Sequence, residues 1–479
     1  MSGKPSGAVA NIPAGVIATF AAGSLPVGAL VTTLGVYLTN YYASHIGISL
    51  AAVGATFMIV RLLDILLDPV LGVAMDATRT TIGKFRPWLA ASAPILLLAI
   101  WMVYFPDKGV GTGYLISWLV LLYLGYSMLT LSQAAWGAAL VAEYHQRSRV
   151  YGWIQAVAVV GAIGVLLVPS LLTSFWPGIP IKGVPLMGAF ILGAVIIGTA
   201  ITVFFAPEPV KGDIVKEQNF ALKDYFALLA RPDMLRILGA DLFCTLGPAI
   251  TAPLYLFFFE QARGYTPVQA NYLLLSYIVA GLAGPSFWSL VARRFGKHLT
   301  IRISSFCYVV VQSILLALPR AQPFAMLFAM FSVGFVASSF AFLVRAMTAD
   351  VSDEVRLETG KDKTALLYAL VTSTSKIGST VSVGVAYAIL PFFGFNAAEG
   401  ANNTPDAIWG LEACYLVPPV LCVLIGGFAM WGYKLDESRH AEVRLALGAS
   451  DALAGAKDAL QSITGEPPEP EQGVLQPGK

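Results

Sequence analysis

Two carboxylates and one ammonium stand in stretches of sequence that are otherwise apolar enough to cross a bilayer. Asp64 and Asp68 lie four residues apart in RLLDILLDP, so on a helix they share one face, about 6 Å from each other. Lys376 lies in a second such run, YALVTSTSKIGSTVSVG. Each charge at the bilayer centre costs at least ~2.5 kcal/mol, and ionisable residues at that depth mark ion or substrate pathways. Because a carboxylate pair in hydrocarbon needs a cation, the three residues predict a cation site.

Each of these charges also has a purely structural interpretation. Arg61 comes one turn before Asp64 and could neutralise it in a buried network, and Lys376 could be a buried neutral amine. We favour the functional interpretation because one arginine cannot satisfy two carboxylates. The hydroxyl-rich neighbours of Lys376 predict that its helix lines a cavity, and two of them, Thr372 and Ser375, are candidate solute contacts.

The elements that must position these residues are membrane spans. Hydrophobic residues make up 57% of the 479 residues and charged residues 12%, whereas a soluble domain carries roughly 25% charge. The sequence therefore predicts an all-α integral membrane protein. Apolar runs of spanning length occur twelve times, near residues 13–43, 50–76, 87–106, 113–141, 150–175, 185–206, 233–260, 267–292, 299–318, 322–349, 364–392 and 408–434.

The spans fall into two sets of six on either side of a polar segment. This division predicts an N-terminal bundle (1–206), a cytoplasmic linker (207–232), a C-terminal bundle (233–434) and a tail (435–479) that is first partly helical and then disordered. The basic turn MDATRTTIGKFRPW after span two is echoed by GPSFWSLVARRFGKH after span eight. Two six-span halves of the same topology are typical of transporters built from parallel repeats.

The distribution of Lys and Arg predicts orientation. One set of alternate loops holds most of the basic residues, and the opposite set holds only Lys108, Lys182, Arg263 and Arg320. Because basic residues are retained on the cytoplasmic side of short loops, both termini are expected in the cytoplasm, with the protein in the inner membrane. The N-terminus leads directly into a long span, so we expect no cleaved signal peptide.

Further charged and aromatic residues are candidates for gating and for solute contact. Charges near the inner ends of spans could form salt bridges that break when the halves rock apart, and Asp241 is assigned to such a pair with Arg236. The candidate gating set is Arg61, Arg79, Glu143, Arg147, Arg149, Asp241, Arg293 and Asp350. Tyr41 and Trp136 could stack on a ligand ring, although aromatics at helical spacing are more often core residues.

Other classes of function find little support. The four cysteines lie in apolar runs without metal-ligand spacing, and the four histidines are scattered. There is no nucleophile motif or cofactor loop, so an enzyme and a bound cofactor are not expected. A net charge of +2 over this length indicates no nucleic-acid partner.

Two motifs resemble those of a known family. RLLDILLDPVLGVAMDATRTTIGKFRPW is similar to the second-span signature of the glycoside-pentoside-hexuronide:cation symporters, the melibiose-permease-like family of the major facilitator superfamily. MTADVSDEVRLETGKDKTALLYALVTSTSKIGSTVSVGVAYAIL resembles the same family's signature from span ten through span eleven. The resemblance implies two six-helix bundles that alternate access to a central cavity, commonly in a monomer.

The resemblance also implies roles for individual residues. By position, Asp64 and Asp68 match the family's cation-site carboxylates, and Lys376 matches its span-eleven lysine. Trp136 matches a tryptophan that packs against the sugar, and in that register Ser132 replaces a span-four aspartate of the cation site. Gln133, beside Ser132, is a further candidate solute contact.

Departures from the family pattern bear on the cargo and the ion. Gly28 stands where the family has a sugar-binding aspartate, and Ile154 or Gln155 where it has a sugar-binding arginine; of these we take Gln155 as a solute contact. Leu67 replaces a sodium-holding asparagine. Sodium, like other hard cations, prefers about six oxygens, whereas burial and mutual repulsion favour protonation of one carboxylate of a pair. We therefore favour H⁺ over Na⁺ as the coupling ion.

Taken together, the sequence predicts a secondary transporter that couples a cation to movement of a small polar solute, glycoside or sugar-like. One alternative keeps the fold and carries a lysolipid or another amphiphile, because Gly28, Ile154 and Leu67 imply an apolar cavity. Another alternative is a membrane sensor or scaffold that does not transport, although retention of all three mid-depth charges disfavours it.

Overall fold

The computed structural model describes residues 12–140, 144–176, 178–208, 228–319, 322–361, 363–436, 438–449 and 452. Twelve helices in it are long and apolar enough to cross a membrane, which confirms the predicted all-α class. Their bounds are α1 Ala14–Ser44, α2 Leu50–Ala77, α3 Arg86–Tyr104, α4 Thr112–Leu140, α5 Tyr144–Phe175, α6 Val184–Phe205, α7 Pro232–Ala262, α8 Pro267–Phe295, α9 Lys297–Ala317, α10 Pro323–Thr359, α11 Thr364–Ile389 and α12 Pro405–Ala429.

The largest difference from the predicted spans is at the end of α10. This helix continues to Thr359 instead of ending near residue 349. Its last turns are polar on one side, but Val351 and Val355 are buried against Leu366 and Leu367 of α11. Four-residue spacing keeps the two valines on one face, so the helix is stabilised by packing beyond the length that a hydrophobic run indicates.

Most contacts between helices lie within the first six helices or within the last six. In the first six helices α3 packs on α4 and α6, and α1 packs on α5; in the last six α8 packs on α10, and α7 packs on α11 and α12. The groups meet through α2 with α11, α5 with α8, and α1 with α7. Because the number of spans is even, residues 12 and 436 lie on the same side. We call that side the termini face and the opposite side the distal face.

The first helix is interrupted by a 3₁₀ turn over Ala22–Ser24 and by a π turn over Thr33–Tyr37. Side chains from two other helices hold the 3₁₀ turn. The Thr202 hydroxyl accepts the Gly23 N–H at 2.8 Å, and the Gln133 amide donates to the Phe20 carbonyl at 3.1 Å. The interruption is therefore fixed by α4 and α6, because backbone groups released from a helix in an apolar medium must find other partners.

A carboxylate occupies the start of α3. Glu208, just after α6, accepts the backbone N–H groups of Lys84, Phe85 and Arg86 at 2.6, 2.7 and 3.1 Å. Gly83 has φ +127°, and a Cβ there would lie 2.0 Å from Glu208. Free N–H groups and the helix dipole favour a negative charge at this position.

A short helix, residues 438–449, follows α12 and is called the tail helix. Asp436 caps it by accepting from the Ser438 hydroxyl at 2.7 Å and the Arg439 N–H at 2.9 Å. His440 lies 3.0 Å from Asp353 of α10, and Val443 is buried. The tail helix thus packs on the termini face of the second half.

Candidate cation and solute site

A salt bridge at mid-depth joins the two halves. The Lys376 ammonium of α11 donates to one oxygen of Asp68 in α2, and the two side chains are 39% and 16% exposed. The other oxygen of Asp68 is buried and accepts no hydrogen bond from the residues described. The two residues that sequence reasoning paired are therefore in contact, with one carboxylate oxygen left open.

The second carboxylate lies one turn earlier on the same face of α2. Asp64 is 7% exposed and accepts a hydrogen bond from the Ser127 hydroxyl of α4 at 2.6 Å. Of the two carboxylates, Asp68 is the one that contacts the ammonium. Among the described residues Asp64 has only a hydroxyl partner, so this carboxylate can take up a proton or a metal cation.

Two glycines allow α2 and α11 to approach closely enough for the pair to form. A Cβ at Gly54 would lie 2.9 Å from Tyr387, and one at Gly384 would lie 2.7 Å from the sulfur of Met58. Pro69 directly follows Asp68 and has no N–H, so it leaves a backbone carbonyl of α2 without its helical partner. The sequence therefore brings the helices together on the distal side of the pair and loosens α2 next to Asp68.

Arg61 does not neutralise Asp64, contrary to the structural interpretation. Its guanidinium donates to the Ser379 carbonyl of α11 at 3.3 Å and lies 6.0 Å from the centre of the Tyr123 ring. No salt bridge joins it to Asp64 within the described part of the chain. Arg61 is instead a second link between the halves.

Ser132 is not the α4 residue that reaches the carboxylates. Its hydroxyl is fully buried and donates to the Leu129 carbonyl of its own helix at 3.1 Å. α2 and α4 both run from the distal to the termini face, and Asp64 and Ser127 stand at nearly the same distance from their helix starts, Leu50 and Thr112. Counting residues from the two helix starts identifies Ser127 as the α4 residue at the depth of Asp64. The register based on Trp136 identifies Ser132, which lies more than one turn further along the helix.

Trp136 and Gln133 are structural residues in this conformation. Trp136 is fully buried, and its indole N–H donates to the Pro207 carbonyl at 3.1 Å. Its ring packs edge-on against Phe20 and lies under the Arg86 guanidinium. Gln133, 3% exposed, holds the break in α1. Both residues lie near the termini-face end of α4 among packed helices, and neither lines a cavity in the described part of the chain.

Close packing of two helices, and not a cavity, explains the glycine at position 28. A Cβ at this position would lie 1.7 Å from the Ala158 carbonyl oxygen of α5. The backbones of α1 and α5 touch at this point, so no side chain fits. The prediction of an apolar cavity at Gly28 is therefore wrong.

The other candidate solute residues lie in three different places. Thr372 and Gln155 are exposed. Ser375 donates to Asp241 at 2.7 Å, inside the second half. Tyr41 lies at the distal end of α1, stacked on His45, and lines a distal cavity of about 520 Å³ rather than the mid-depth site.

Asp241 is not at an end of the bundle with Arg236. It is 2% exposed in α7 and accepts the hydroxyls of Thr374 and Ser375 of α11, both at 2.7 Å. Arg236 pairs with Asp233 at 3.3 Å instead. The hydroxyl-rich turn that precedes Lys376 therefore anchors α11 to α7, and the lysine itself reaches across to the other half.

Among the remaining gating candidates whose side chains the structure describes, no contact bridges the halves at the termini face. Asp350 binds Lys297 at 2.7 Å and lies 3.5 Å from His440, all within the second half. Arg149 donates to the Ile12 carbonyl, and Arg79 and Arg293 are exposed. Glu143 and the side chain of Arg147 lie outside the described residues.

At the distal face, contacts that the sequence did not indicate close the space between the halves. Tyr37 of α1 donates to Asn271 of α8 at 2.5 Å, and Asn271 donates to Ser170 of α5 at 2.8 Å. The loops of this face add a His45–Glu399 pair at 2.8 Å. The sequence gives no signal for these contacts, because the two members of each pair lie more than a hundred positions apart.

The termini face gives access to the mid-depth site. Lys376 is 39% exposed although it lies twelve positions into α11, and the nearby polar residues Thr372 and Ser373 are exposed as well. Exposed hydroxyls at this depth indicate a water-filled space rather than lipid. The mid-depth site is therefore exposed on the side of Thr372 and Ser373, toward the termini face, whereas hydrogen bonds join the halves at the distal face.

Twelve spans in two halves, joined at mid-depth by a charge pair, are the architecture expected of a transporter built from two repeats. The chain belongs to the MFS/sugar transport protein family, whose profile matches residues 19–437. This membership confirms the family resemblance and the multi-pass membrane fold, and these proteins are transporters and not enzymes.

Individual relatives differ in the cargo that their names give. The chain is 23% identical to the isoprimeverose transporter of Lactiplantibacillus pentosus over 84% of each chain. It is 22% identical to the sodium-dependent lysophosphatidylcholine symporter 1-A of Danio rerio over 88% of this chain and 86% of that one. The crystal structure of the nucleoside transporter NupG has the same fold, with a TM-score of 0.61 at 15% identity over 88% of this chain and 98% of that one.

Proposed function

We propose that this protein is a cation-coupled symporter that carries a small polar solute, glycoside or sugar-like, across the inner membrane by alternating access, with both termini in the cytoplasm. Membership in the MFS/sugar transport protein family and the isoprimeverose relative support the solute class. The excess of Lys and Arg in the loops of the termini face supports the orientation.

One observation carries the proposal: Lys376 of the second half pairs with Asp68 of the first half, beside a second carboxylate, Asp64. Without a cation, the ammonium offsets one of two negative charges and ties the halves together. A bound cation supplies the missing charge, so Lys376 no longer needs to remain on Asp68. The energy of the inter-half contact thereby depends on the occupancy of the cation site, which is the requirement for coupling.

The oxygen inventory favours H⁺ over Na⁺ as the coupling ion. Among the described side chains, the Ser127 hydroxyl is the one neutral oxygen hydrogen-bonded to the carboxylate pair. Sodium would need several more oxygens, since hard cations take about six. A proton needs only one carboxylate oxygen, and Asp68 has one that is unoccupied.

The test is uptake into proteoliposomes by purified wild type and the Asp68→Asn variant. A thermal-stability screen with sugars, glycosides and uronates, with and without sodium and at two pH values, first selects the solute. We expect Asp68→Asn to lose uptake driven by a cation gradient while it still inserts and folds, because one of the two carboxylates is neutralised. Asp107→Asn, at an exposed loop position, is the matched control and should keep uptake. Normal uptake by Asp68→Asn would refute the proposal.

A lysolipid is the second candidate cargo, favoured by the lysophosphatidylcholine symporter among the relatives. The same stability screen separates the two cargoes when lysophosphatidylcholine is included. Stabilisation by lysophosphatidylcholine below its micellar concentration, with no response to any sugar or glycoside, would select the lipid. A sensor or scaffold that does not transport would give no counterflow with any of these compounds.

A further inference from the structure

A basic turn occurs at the same place in both halves, but among the described residues only in the first half does a carboxylate accept the N–H groups at the start of the helix that follows. Gly83-Lys84-Phe85, just before α3, corresponds to Gly296-Lys297-His298, in which Gly296 precedes α9 and the other two residues begin it. Both glycines have positive φ, +127° and +83°. In the first half, Glu208 accepts three backbone N–H groups of that turn. In the second half, no described side chain accepts from the N–H groups of residues 297–299, so the start of α9 lacks the anion that the start of α3 has.

The acidic residue at the corresponding position of the second half, Asp436, already binds other groups. Asp436 follows α12 as Glu208 follows α6, but its carboxylate caps the tail helix through Ser438 and Arg439. These hydrogen bonds lower the pKa of Asp436, so the group is ionised and committed to the tail helix at neutral pH. A Cβ at Gly296 would meet only His298, at 3.6 Å, whereas one at Gly83 would collide with Glu208. Space therefore remains at the start of α9.

That space is part of a cavity of about 320 Å³ between α8, α9, α10 and the tail helix. Tyr433 lines it and is 8% exposed, and its hydroxyl has no hydrogen-bond partner among the described residues. Burial, followed by the nearby Asp350 carboxylate, raises the pKa of Tyr433, so the hydroxyl is a neutral donor. A buried hydroxyl without a partner is unfavourable, and a ligand in the cavity that accepts its hydrogen bond would remove that cost.

The cavity is lined by charges of both signs, including the Asp436 carboxylate that caps the tail helix. The Asp350 carboxylate is bound by Lys297 at 2.7 Å and lies 3.5 Å from His440. Arg293 also lines the cavity and makes no ion pair within the described ranges. Guanidinium groups, tyrosine hydroxyls and the N–H groups of a helix start are the donors that bind phosphate.

We propose that this cavity binds the phosphate of a membrane phospholipid head group, held by Arg293, the start of α9 and the Tyr433 hydroxyl, with the tail helix as one wall. The phosphate takes the place that the Glu208 carboxylate takes in the first half. A lipid source is favoured over free phosphate because the same end of α8 presents Leu290, 61% exposed, and Phe295, 50% exposed, to the surroundings of a membrane protein. Acyl chains can pack on these side chains while the head group enters the cavity.

The test uses the full-length protein in detergent, with thermal unfolding as the readout and dioctanoyl-phosphatidylglycerol as the probe. Dioctanoylglycerol, which lacks phosphate, and inorganic phosphate at matched ionic strength are the comparison compounds. The variants are Arg293→Gln and Tyr433→Phe. Arg294→Gln is the matched control, because the neighbouring arginine lies over the Phe295 ring and does not line the cavity.

We expect the phospholipid to raise the unfolding temperature of the wild type and of Arg294→Gln at the same half-maximal concentration. That concentration should rise about tenfold in Arg293→Gln, which loses a charged hydrogen bond, and about threefold in Tyr433→Phe. A response that is the same in all four proteins would overturn the site. Equal, variant-dependent stabilisation by inorganic phosphate alone would overturn the lipid assignment and leave a free-anion site.

Native mass spectrometry provides a second measurement if Arg293→Gln does not fold. Tyr433→Phe removes only a hydroxyl, so it should retain the fold and bind fewer phosphatidylglycerol molecules than the wild type at the same lipid concentration. Equal numbers of bound lipid would contradict the proposal.

Discussion

The two halves of the protein are joined by a lysine–aspartate pair at mid-depth and by a histidine–glutamate contact at the distal face, which is an ion pair when the imidazole is protonated. The two pairs differ in their surroundings. At mid-depth, Lys376 and Asp68 are 39% and 16% exposed, and Asp64 lies beside them. At the distal face, His45 and Glu399 are 41% and 74% exposed. An exposed pair contributes about 0.2–1 kcal/mol, whereas removing one partner of a buried pair costs roughly 3–5 kcal/mol.

This difference in burial indicates different roles for the two pairs. The distal pair adds to a closed surface that the Tyr37–Asn271 hydrogen bond also holds. The mid-depth pair is sensitive to any change of charge at the second carboxylate, because water screens it less. We therefore expect charge coupling at mid-depth and only modest effects at the distal face.

The largest effect is expected from unpairing the mid-depth charges. Lys376→Met leaves two carboxylates without their ammonium, and Asp68→Asn leaves the ammonium without its main partner. Each single variant should lose roughly 2 kcal/mol of stability, a value between the exposed and fully buried cases, and the double variant should lose less than the sum. Thermal unfolding of the four proteins in detergent measures this cycle. Additive losses would show that the two side chains do not interact.

The next prediction distinguishes H⁺ from Na⁺ by the direction in which the half-saturating cation concentration changes. Ser127→Ala removes the hydroxyl that donates to Asp64. For sodium the change removes a ligand oxygen, so the half-saturating concentration should rise. For a proton it removes a hydrogen bond that favours the ionised carboxylate, so the half-saturating proton concentration should fall, in either case by about threefold to tenfold. Uptake against cation concentration measures this.

Ser132→Ala is the control for that experiment. Its hydroxyl donates to the carbonyl of its own helix and does not reach the carboxylates. We expect wild-type cation dependence in this variant. A larger change in Ser132→Ala than in Ser127→Ala would restore the register based on Trp136 and contradict the site as described.

A smaller effect is expected at the distal hydrogen bond. Tyr37→Phe removes the hydroxyl bound to Asn271 and should cost about 1 kcal/mol, so distal amides of α1 and α8 should exchange hydrogen roughly fivefold faster. Tyr41→Phe is the matched control, because Tyr41 contacts His45 through its ring. Hydrogen exchange with mass spectrometry of both variants measures the difference. Equal exchange in the two variants would show that the Tyr37 hydrogen bond does not hold the distal face closed.

The smallest effect is expected from the exposed pair. His45→Ala should change the stability by no more than about 1 kcal/mol, and the change should shrink at high KCl because salt screens exposed charges. Thermal unfolding at low and high KCl measures it. A loss as large as that of Lys376→Met would mean that the distal pair is as important as the mid-depth pair.

The contacts of three candidate residues differ from those that the sequence predicts, and the cause is the same in each case. The sequence places Trp136, Ser132 and Asp241 by their position along one helix or by a family register. In the structure Trp136 donates to Pro207, Ser132 donates to Leu129 of its own helix, and Asp241 accepts the hydroxyls of α11. The side that a helical residue faces depends on the rotation of its helix against its neighbours, and a uniformly apolar span carries little sign of that rotation.

The sequence by itself determined the class of the protein, its twelve spans, its family and the three costly charges at mid-depth. These follow from the free energy of placing apolar and charged groups in a bilayer, which each segment expresses on its own. Only the tertiary structure decided that Ser127 supports Asp64, that the distal face is closed by Tyr37 and Asn271, and that the start of α9 remains open beside Tyr433. Those contacts join residues far apart in the chain, so they arise from packing that no single segment encodes.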